Sequence, residues 1–232
     1  MKLGIMQPYF FPYIGYWQLM NAVDKYVIYD DVNFIKGGWV NRNRILMGGA
    51  VKYFNVPMQG ASAYKKINEI GVPPAEEWAK GSLEKLRAAY RKAPCFAQVF
   101  PLVEEILTCG ETNLARFLAH SIRSVAGYLG MDTEFVLSSE LDKDNELHGQ
   151  DKVLAICRLL GADEYYNAIG GQELYSKEAF AAEGIDLRFV RTDRIEYPQF
   201  GGEFEANLSI LDVLMFNTED EVREMLGRFE LV

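Results

Sequence analysis

Leu3-Gly4-Ile5-Met6, Gln7-Pro8-Tyr9-Phe10-Phe11-Pro12, Tyr13-Ile14-Gly15-Tyr16 and Lys25-Tyr26-Val27-Ile28-Tyr29 are the stretches that decide the fold. The first is a short apolar strand. The second is an aromatic loop punctuated by prolines. The third opens a helix that runs on through Trp17, Leu19, Met20 and Val23. The fourth is a second strand that ends in Asp30-Asp31. Strand, glycine at a helix start and second strand form a βαβ unit, and backbone N–H groups at such a helix start favour an anion.

Working outward, Trp39 to Met47 and Val51 to Pro57 read as two strands joined by the hairpin signal Gly48-Gly49. Gln59 to Lys66 is an exposed loop, and Ile67 to Ile70 is expected to be a short strand. From about Pro74 to Leu129 apolar residues recur at three- and four-residue spacing, which predicts helices over Glu76 to Arg91, Phe96 to Leu107 and Asn113 to Tyr128. Beyond them, Glu134 to Leu137, Glu164 to Ala168 and Ile185 to Val190 read as strands. Gln150 to Leu160, Lys177 to Ala182 and Leu208 to Phe216 read as helices. Strands alternating with helices predict an α/β fold with a partly parallel, Rossmann-like sheet. One domain over residues 1–232, with a mainly helical insert at about 74–129, is the expected organisation.

Composition narrows the function classes. An apolar share of 49% supports a substantial core, and a net charge of −9 argues against a nucleic-acid binder. Cys95, Cys109 and Cys157 are odd in number and widely spaced, which fits reduced thiols better than a disulfide framework. No stretch has the length and apolarity of a membrane span or the pattern of a signal peptide, so the expected location is cytoplasmic. No Cys/His spacing points to a metal.

Several segments can carry chemistry. Lys36, Arg42 and Arg44 stand out in an acidic chain. Arg42 and Arg44 share a face if the segment is extended, and two guanidinium forks on one face suit a phosphate or carboxylate. Asn41 and Asn43 then face the other way. The competing reading is an edge strand protected by charge. Asp30 and Asp31 sit at a strand end, where ligands gather in α/β sheets, and suit magnesium, ribose or a proton from an amine. Ordinary turn chemistry explains them equally well. Gly170 and Gly171 lead into Ser176-Lys177 at a helix start, where Ser176 reads most simply as a cap. His148 lies in a polar loop and His120 within a helical pattern. Tyr197-Pro198-Gln199-Phe200-Gly201-Gly202 is a second aromatic loop, and Asp212, inside an apolar helix, needs a partner that one of the arginines can supply.

Tyr13-Ile14-Gly15-Tyr16 resembles, in place and spacing, the His-x-Gly-His motif of class I synthetases and small nucleotidylyltransferases. That resemblance implies a HUP-like sheet in which Gly15 lets adenine approach the backbone. Both motif histidines are tyrosines here, so phosphate contacts fall to hydroxyl groups. Gly15 equally reads as a site of close packing. Ser176-Lys177 resembles the lysine-bearing second signature of the same enzymes.

Gln7 through Tyr16, Asn41-Arg42-Asn43-Arg44-Ile45, and Gly170-Gly171 through Leu208-Ser209-Ile210-Leu211-Asp212 together resemble the WbqC-like family, over nearly the whole chain. Members occur with bacterial surface-polysaccharide genes, including O-antigen clusters, and a glycine transferase role has been proposed for some. The resemblance supplies this context; combined with the βαβ reading it leads to the expectation of a transferase or ligase that activates a small carboxylate, such as glycine, with ATP and magnesium and passes it to a sugar. The expected cofactor-binding set is Gln7, Tyr13, Gly15, Tyr16, Lys36, Gly170, Gly171 and Ser176. The expected catalytic set is Asp30, Asp31, Arg42, Arg44 and Lys177. Expected partners are small molecules: an amino acid, a sugar or a nucleotide-sugar. Nucleotidyl transfer to a sugar phosphate, and non-catalytic nucleotide-sugar binding, are the alternatives.

Overall fold

A computed structural model describes residues 1–232. Eight strands and eight helices follow in the order β1 (Lys2–Met6), α1 (Ile14–Asn21), β2 (Lys25–Ile28), β3 (Arg42–Met47), β4 (Ala50–Asn55), α2 (Ala75–Tyr90), α3 (Phe96–Leu107), α4 (Leu114–Tyr128), β5 (Glu134–Leu137), α5 (Gly149–Leu160), β6 (Glu164–Ala168), α6 (Lys177–Ala182), β7 (Asp186–Thr192), α7 (Ile210–Phe216), α8 (Glu219–Leu226) and β8 (Phe229–Leu231). Six strands form one sheet in the order β5-β2-β1-β6-β7-β8. The first five are parallel, and β8 closes the edge antiparallel to β7. This is the expected Rossmann-like α/β architecture.

The chain leaves β1 for β2 on one side and returns to β6 on the other, so the strand order reverses at β1. Ligands of such sheets bind beyond the carboxyl ends of the strands at that reversal. Here that region holds the β1–α1 loop and the segments after β2, β6 and β7.

Period-two alternation sorts the strand residues between two layers. Leu3, Ile5, Val27, Tyr165, Leu187 and Phe189 pack with α5 and α6. Tyr26, Ile28, Tyr166 and Val190 face α1 and join a cluster of 49 buried residues. That cluster also holds the inner sides of α2, α3, α4, α7 and the β3–β4 hairpin, so the helical insert packs continuously onto the α1 face.

The hairpin turns at Gly48 and Gly49, with φ of 62° and 75°. Two consecutive left-handed residues are the geometry that matches strand twist in a two-residue hairpin. The expected strand at Ile67–Ile70 is instead a 3-10 turn over Ile67–Glu69. Its backbone meets neighbours singly: Asn68 N donates to Asp30 O at 3.1 Å, and Leu114 N donates to Ile70 O at 2.9 Å. No continuous ladder is on offer, so the local turn wins. No helix is long and apolar enough to cross a membrane.

Candidate functional site

The β1–α1 loop is clamped through its backbone. Phe10 N donates to Val40 O at 3.0 Å. Asn43 Nδ2 donates to Phe11 O at 2.8 Å, and Ser209 Oγ donates to the same oxygen at 2.9 Å. Ile210 N and Trp17 Nε1 both donate to Pro12 O at 3.0 Å. Phe10 and Phe11 are fully buried anchors. Phe11 is held at φ 43°, a left-handed conformation that costs a bulky residue on the order of 1–3 kcal/mol. Asn207, across the same opening, has φ 54°. These are the two non-glycine residues with positive φ; Asn207 lines a cavity, and Phe11 lies in the loop between two of its other lining residues, Tyr9 and Tyr13.

That cavity measures about 260 Å³ and is lined by Tyr9, Tyr13, Trp39, Asn43, Arg44 and Asn207. Arg44 Nη2 donates to Asn207 O at 3.1 Å, its Nε is buried without a partner, and its guanidinium lies 5.6 Å from the Trp39 ring centre. No carboxylate pairs with it. Burial raises the Tyr9 and Tyr13 hydroxyls above the ordinary tyrosine range, so both remain protonated donors at neutral pH. A larger groove of about 520 Å³ adjoins through Asn207 and is bordered by Ile14, Thr192, Asp193, Arg194 and Glu196. Arg194 pairs with Glu196 at 2.5 Å, while Asp193 has no ion-pair partner.

Of the expected site residues, Tyr13 and Arg44 come together in this cavity. Arg42 lies beside Arg44 on β3, its guanidinium 5.8 Å from the Trp39 ring and 4.7 Å from Tyr53. Arg42 and Lys36 open into a separate cavity. Tyr16 is buried, and its hydroxyl donates to Gln7 O. A Cβ at Gly15 would stand 2.4 Å from Thr192 Oγ1 and 2.5 Å from Tyr13 Cε2. The close approach that requires glycine is therefore filled from within the chain, and adenine reaches Gly15 only if Tyr13 swings away.

The remaining expected residues lie elsewhere. Asp30 Oδ2 accepts from Ser139 Oγ at 2.6 Å and Oδ1 from Ser139 N at 2.9 Å. Asp31 Oδ2 sits between Lys143 Nζ at 2.9 Å and Lys152 Nζ at 3.0 Å. Burial works against the Asp31 charge, but the Lys143 and Lys152 ammonium groups outweigh it and hold the carboxyl below its ordinary value. Asp31 Oδ1 is buried without a partner, but Oδ2 is held by two ammonium groups, both Asp30 oxygens are taken by Ser139, and no three His, Cys, Asp or Glu side chains converge, so these donors do not fit a magnesium ion. A Cβ at Gly171 would meet Asn167 Oδ1 at 2.7 Å, so that glycine too is needed for close packing. Ser176 caps α6, accepting from Ala179 N at 3.2 Å. Lys177 lies 5.8 Å from the Phe189 ring, on the sheet face opposite α1.

Asp212 has a different partnership from the arginine that its burial suggested. Tyr90 and Tyr197 hydroxyls donate to it at 2.7 and 2.8 Å, and Gln199 Nε2 donates at 2.8 Å. Arg44 is held away by the Asn207 carbonyl. Desolvation raises the Asp212 carboxyl above its usual value, although the three donors pull against it. The network ties the 197–199 loop to α2 and α7. Asn207, Thr192 and Asp193 were not singled out in the sequence. An asparagine just before a helix is a signal for a left-handed residue, whereas nothing local marks the other two.

A mycobacterial protein, "Uncharacterized protein Rv1507c" of Mycobacterium tuberculosis (strain ATCC 25618 / H37Rv), is 29% identical over 228 residues, covering 97% of each chain. No solved structure matches. The model of the WbqC-like protein family matches residues 7–224, which include every residue lining the two adjoining cavities. The chain belongs to the WbqC-like protein family.

Proposed function

We propose that the protein is a transferase of bacterial surface-polysaccharide synthesis that holds a sugar substrate in the Tyr9–Tyr13–Arg44 cavity and joins a small carboxylate, such as glycine, to it. The observation that carries this reading is an aromatic-walled cavity containing an arginine that no carboxylate neutralises. Aromatic faces stack against sugar rings, amides such as Asn43 and Asn207 meet hydroxyl groups, and a guanidinium fork takes a carboxylate or phosphate. The strained backbone at Phe11, in the loop between Tyr9 and Tyr13, supports a functional role, since such strain collects at ligand sites.

In this reading Arg44 orients the anionic group of the substrate. Asp193, free of ion pairs in the adjoining groove, takes the proton released when an amino or hydroxyl group attacks. Activation of the carboxylate by ATP belongs to the same reading: pyrophosphate leaves as the carboxylate takes the adenylyl group, AMP leaves as the sugar amino or hydroxyl group attacks the acyl carbon, and access of adenine to Gly15 requires Tyr13 to move. Mass spectrometry of reactions containing labelled glycine, ATP and amino-sugar nucleotides tests it. A glycyl-sugar product that is lost in Arg44→Ala and Asp193→Asn supports the proposal. Pyrophosphate release without acyl transfer points instead to nucleotidyl transfer.

A second reading is favoured by one observation: no Asp, Glu, His, Cys or Lys lines the 260 Å³ cavity. A cavity whose titratable groups are two tyrosines held protonated and one arginine suits a non-catalytic nucleotide-sugar binding protein. Binding without turnover under all of these conditions would select it.

A further inference from the structure

Between Val32 and Asn68 the chain carries Lys36, Arg42, Arg44, Lys52, Lys65 and Lys66 and no carboxylate, in a protein of net charge −9. None of these six cations takes part in an ion pair. The same segment leaves Ile35, Trp39, Tyr53 and Tyr64 exposed, and Tyr64 is 96% exposed. Charge that only protects a sheet edge explains Lys52 beside the hairpin turn. It does not explain why Lys36 and Arg42 open into a cavity.

That cavity measures about 480 Å³, within the range of small-molecule sites, and is bordered by Lys36, Asn41, Arg42, Asn55, Ser62 and Tyr64. It shares no residue with the Tyr13–Arg44 cavity. Arg42 and Arg44 are two residues apart on β3, about 7 Å along the strand, and Trp39 lies beside both guanidinium groups. Arg42 is aimed by two backbone carbonyls and the Tyr53 ring it lies over: Nε donates to Gly38 O at 3.0 Å and Nη2 to Gly37 O. Gly37, at φ 77°, makes the turn that presents these carbonyls. Two of the five N–H donors of Arg42 are thereby used, and three remain for a ligand.

We infer that this second cavity is a nucleoside diphosphate site. Lys36 and Arg42 take the two phosphates, Asn41, Asn55 and Ser62 meet the ribose hydroxyls, and Tyr64 stacks on the base. The inference deepens the transferase reading, since it gives the protein one anionic ligand on each arginine of β3. The acid-free segment also concentrates anions at this edge of an otherwise acidic molecule.

Calorimetric titration of the full-length protein with UDP, pyrophosphate and uridine tests it. UDP is expected to bind more tightly than uridine, and its affinity is expected to fall as salt is raised. Lys36→Glu, at an exposed position, is expected to weaken UDP at least tenfold. Tyr64→Ala is expected to weaken UDP but not pyrophosphate. Absence of UDP binding to the wild type, or an unchanged affinity in Lys36→Glu, overturns the inference. Loss of UDP binding in Arg44→Ala but not in Lys36→Glu also overturns it, because the diphosphate then sits in the first cavity. That last outcome leaves the transferase reading standing, whereas loss of the glycyl-sugar product with UDP binding intact removes the transferase reading alone.

Discussion

Replacing Asp31 with alanine is expected to destabilise the protein more than any surface charge deletion. The side chains of Asp31, Lys143 and Lys152 are 5%, 2% and 5% exposed. Both ammonium groups reach the same oxygen, Oδ2, at 2.9 and 3.0 Å, and Lys152 also lies 5.3 Å from the Tyr29 ring. Removing the carboxylate leaves two buried cations with no counter-charge. Breaking a buried pair by deleting one partner costs about 3–5 kcal/mol, because the surviving charge stays desolvated. For a chain of this length each kcal/mol moves the melting temperature by about 2–4 °C, so Asp31→Ala is expected to melt roughly 6–20 °C lower. Lys143→Met keeps the Lys152 pair and is expected to cost less.

Acid should expose the same interaction. The folded Asp31 carboxyl lies below its ordinary value, so its contribution is complete above the unfolded value of about 3.9. That contribution is lost as pH falls through the lower folded value. The stability gap between wild type and Asp31→Asn is therefore expected to be constant above about pH 5 and to shrink below about pH 4. Urea unfolding across this range measures it. An Asp31→Ala protein within about 1 kcal/mol of wild type would refute the reasoning, since it would mean that the two lysines find water or new partners at no cost.

Other outcomes follow from the same geometry. Asp212→Ala strands the Tyr90 and Tyr197 hydroxyls and the Gln199 amide; the buried Tyr90 carries most of the loss, about 1–3 kcal/mol by denaturant titration. Because burial raises the folded Asp212 carboxyl, this group favours folding as pH falls through its folded value, and Asp212→Asn is expected to remove that increment. Gly15→Ala places a methyl group 2.4 Å from Thr192 Oγ1 and 2.5 Å from the Tyr13 ring, so a loss of about 1–3 kcal/mol is expected together with weaker ligand binding as Tyr13 is displaced. Unchanged stability and unchanged binding in Gly15→Ala would show that the ring moves freely.

The fold was legible wherever the signal is local. Apolar spacing located α2, α3 and α4 to within about two residues, and Gly48-Gly49 located the hairpin. Ile67–Ile70 was misread because four residues with an apolar residue at each end do not separate a strand from a turn; distant backbone partners decided it. The sequence reading was silent on α8 and β8, although Thr218 and Glu221 form a capping box that marks the start of α8.

The site was less legible because its residues are brought together over long range. Tyr13 and Arg44 were both singled out, but their meeting depends on Asn43 donating to the Phe10 and Phe11 carbonyls. Asp31 finds Lys152 across 121 residues, and Asp212 finds Tyr90 across 122. The sequence said that a buried Asp212 needs partners and left Asp31 to ligand or turn chemistry at a strand end. It did not say whether they would be cations, as at Asp31, or neutral hydroxyl and amide donors, as at Asp212.

The central claim is that the Tyr9–Tyr13–Arg44 cavity binds the substrate. A thermal-shift screen of the wild type and Arg44→Ala tests it most directly, using glycine, amino sugars, nucleotide-sugars and ATP with and without magnesium. A ligand that binds only the folded state raises the melting temperature. The expected result is a shift with a sugar or amino sugar that Arg44→Ala abolishes and Lys36→Glu retains. The contradicting result is a sugar-induced shift of equal size in wild type and Arg44→Ala, which would place the sugar outside this cavity.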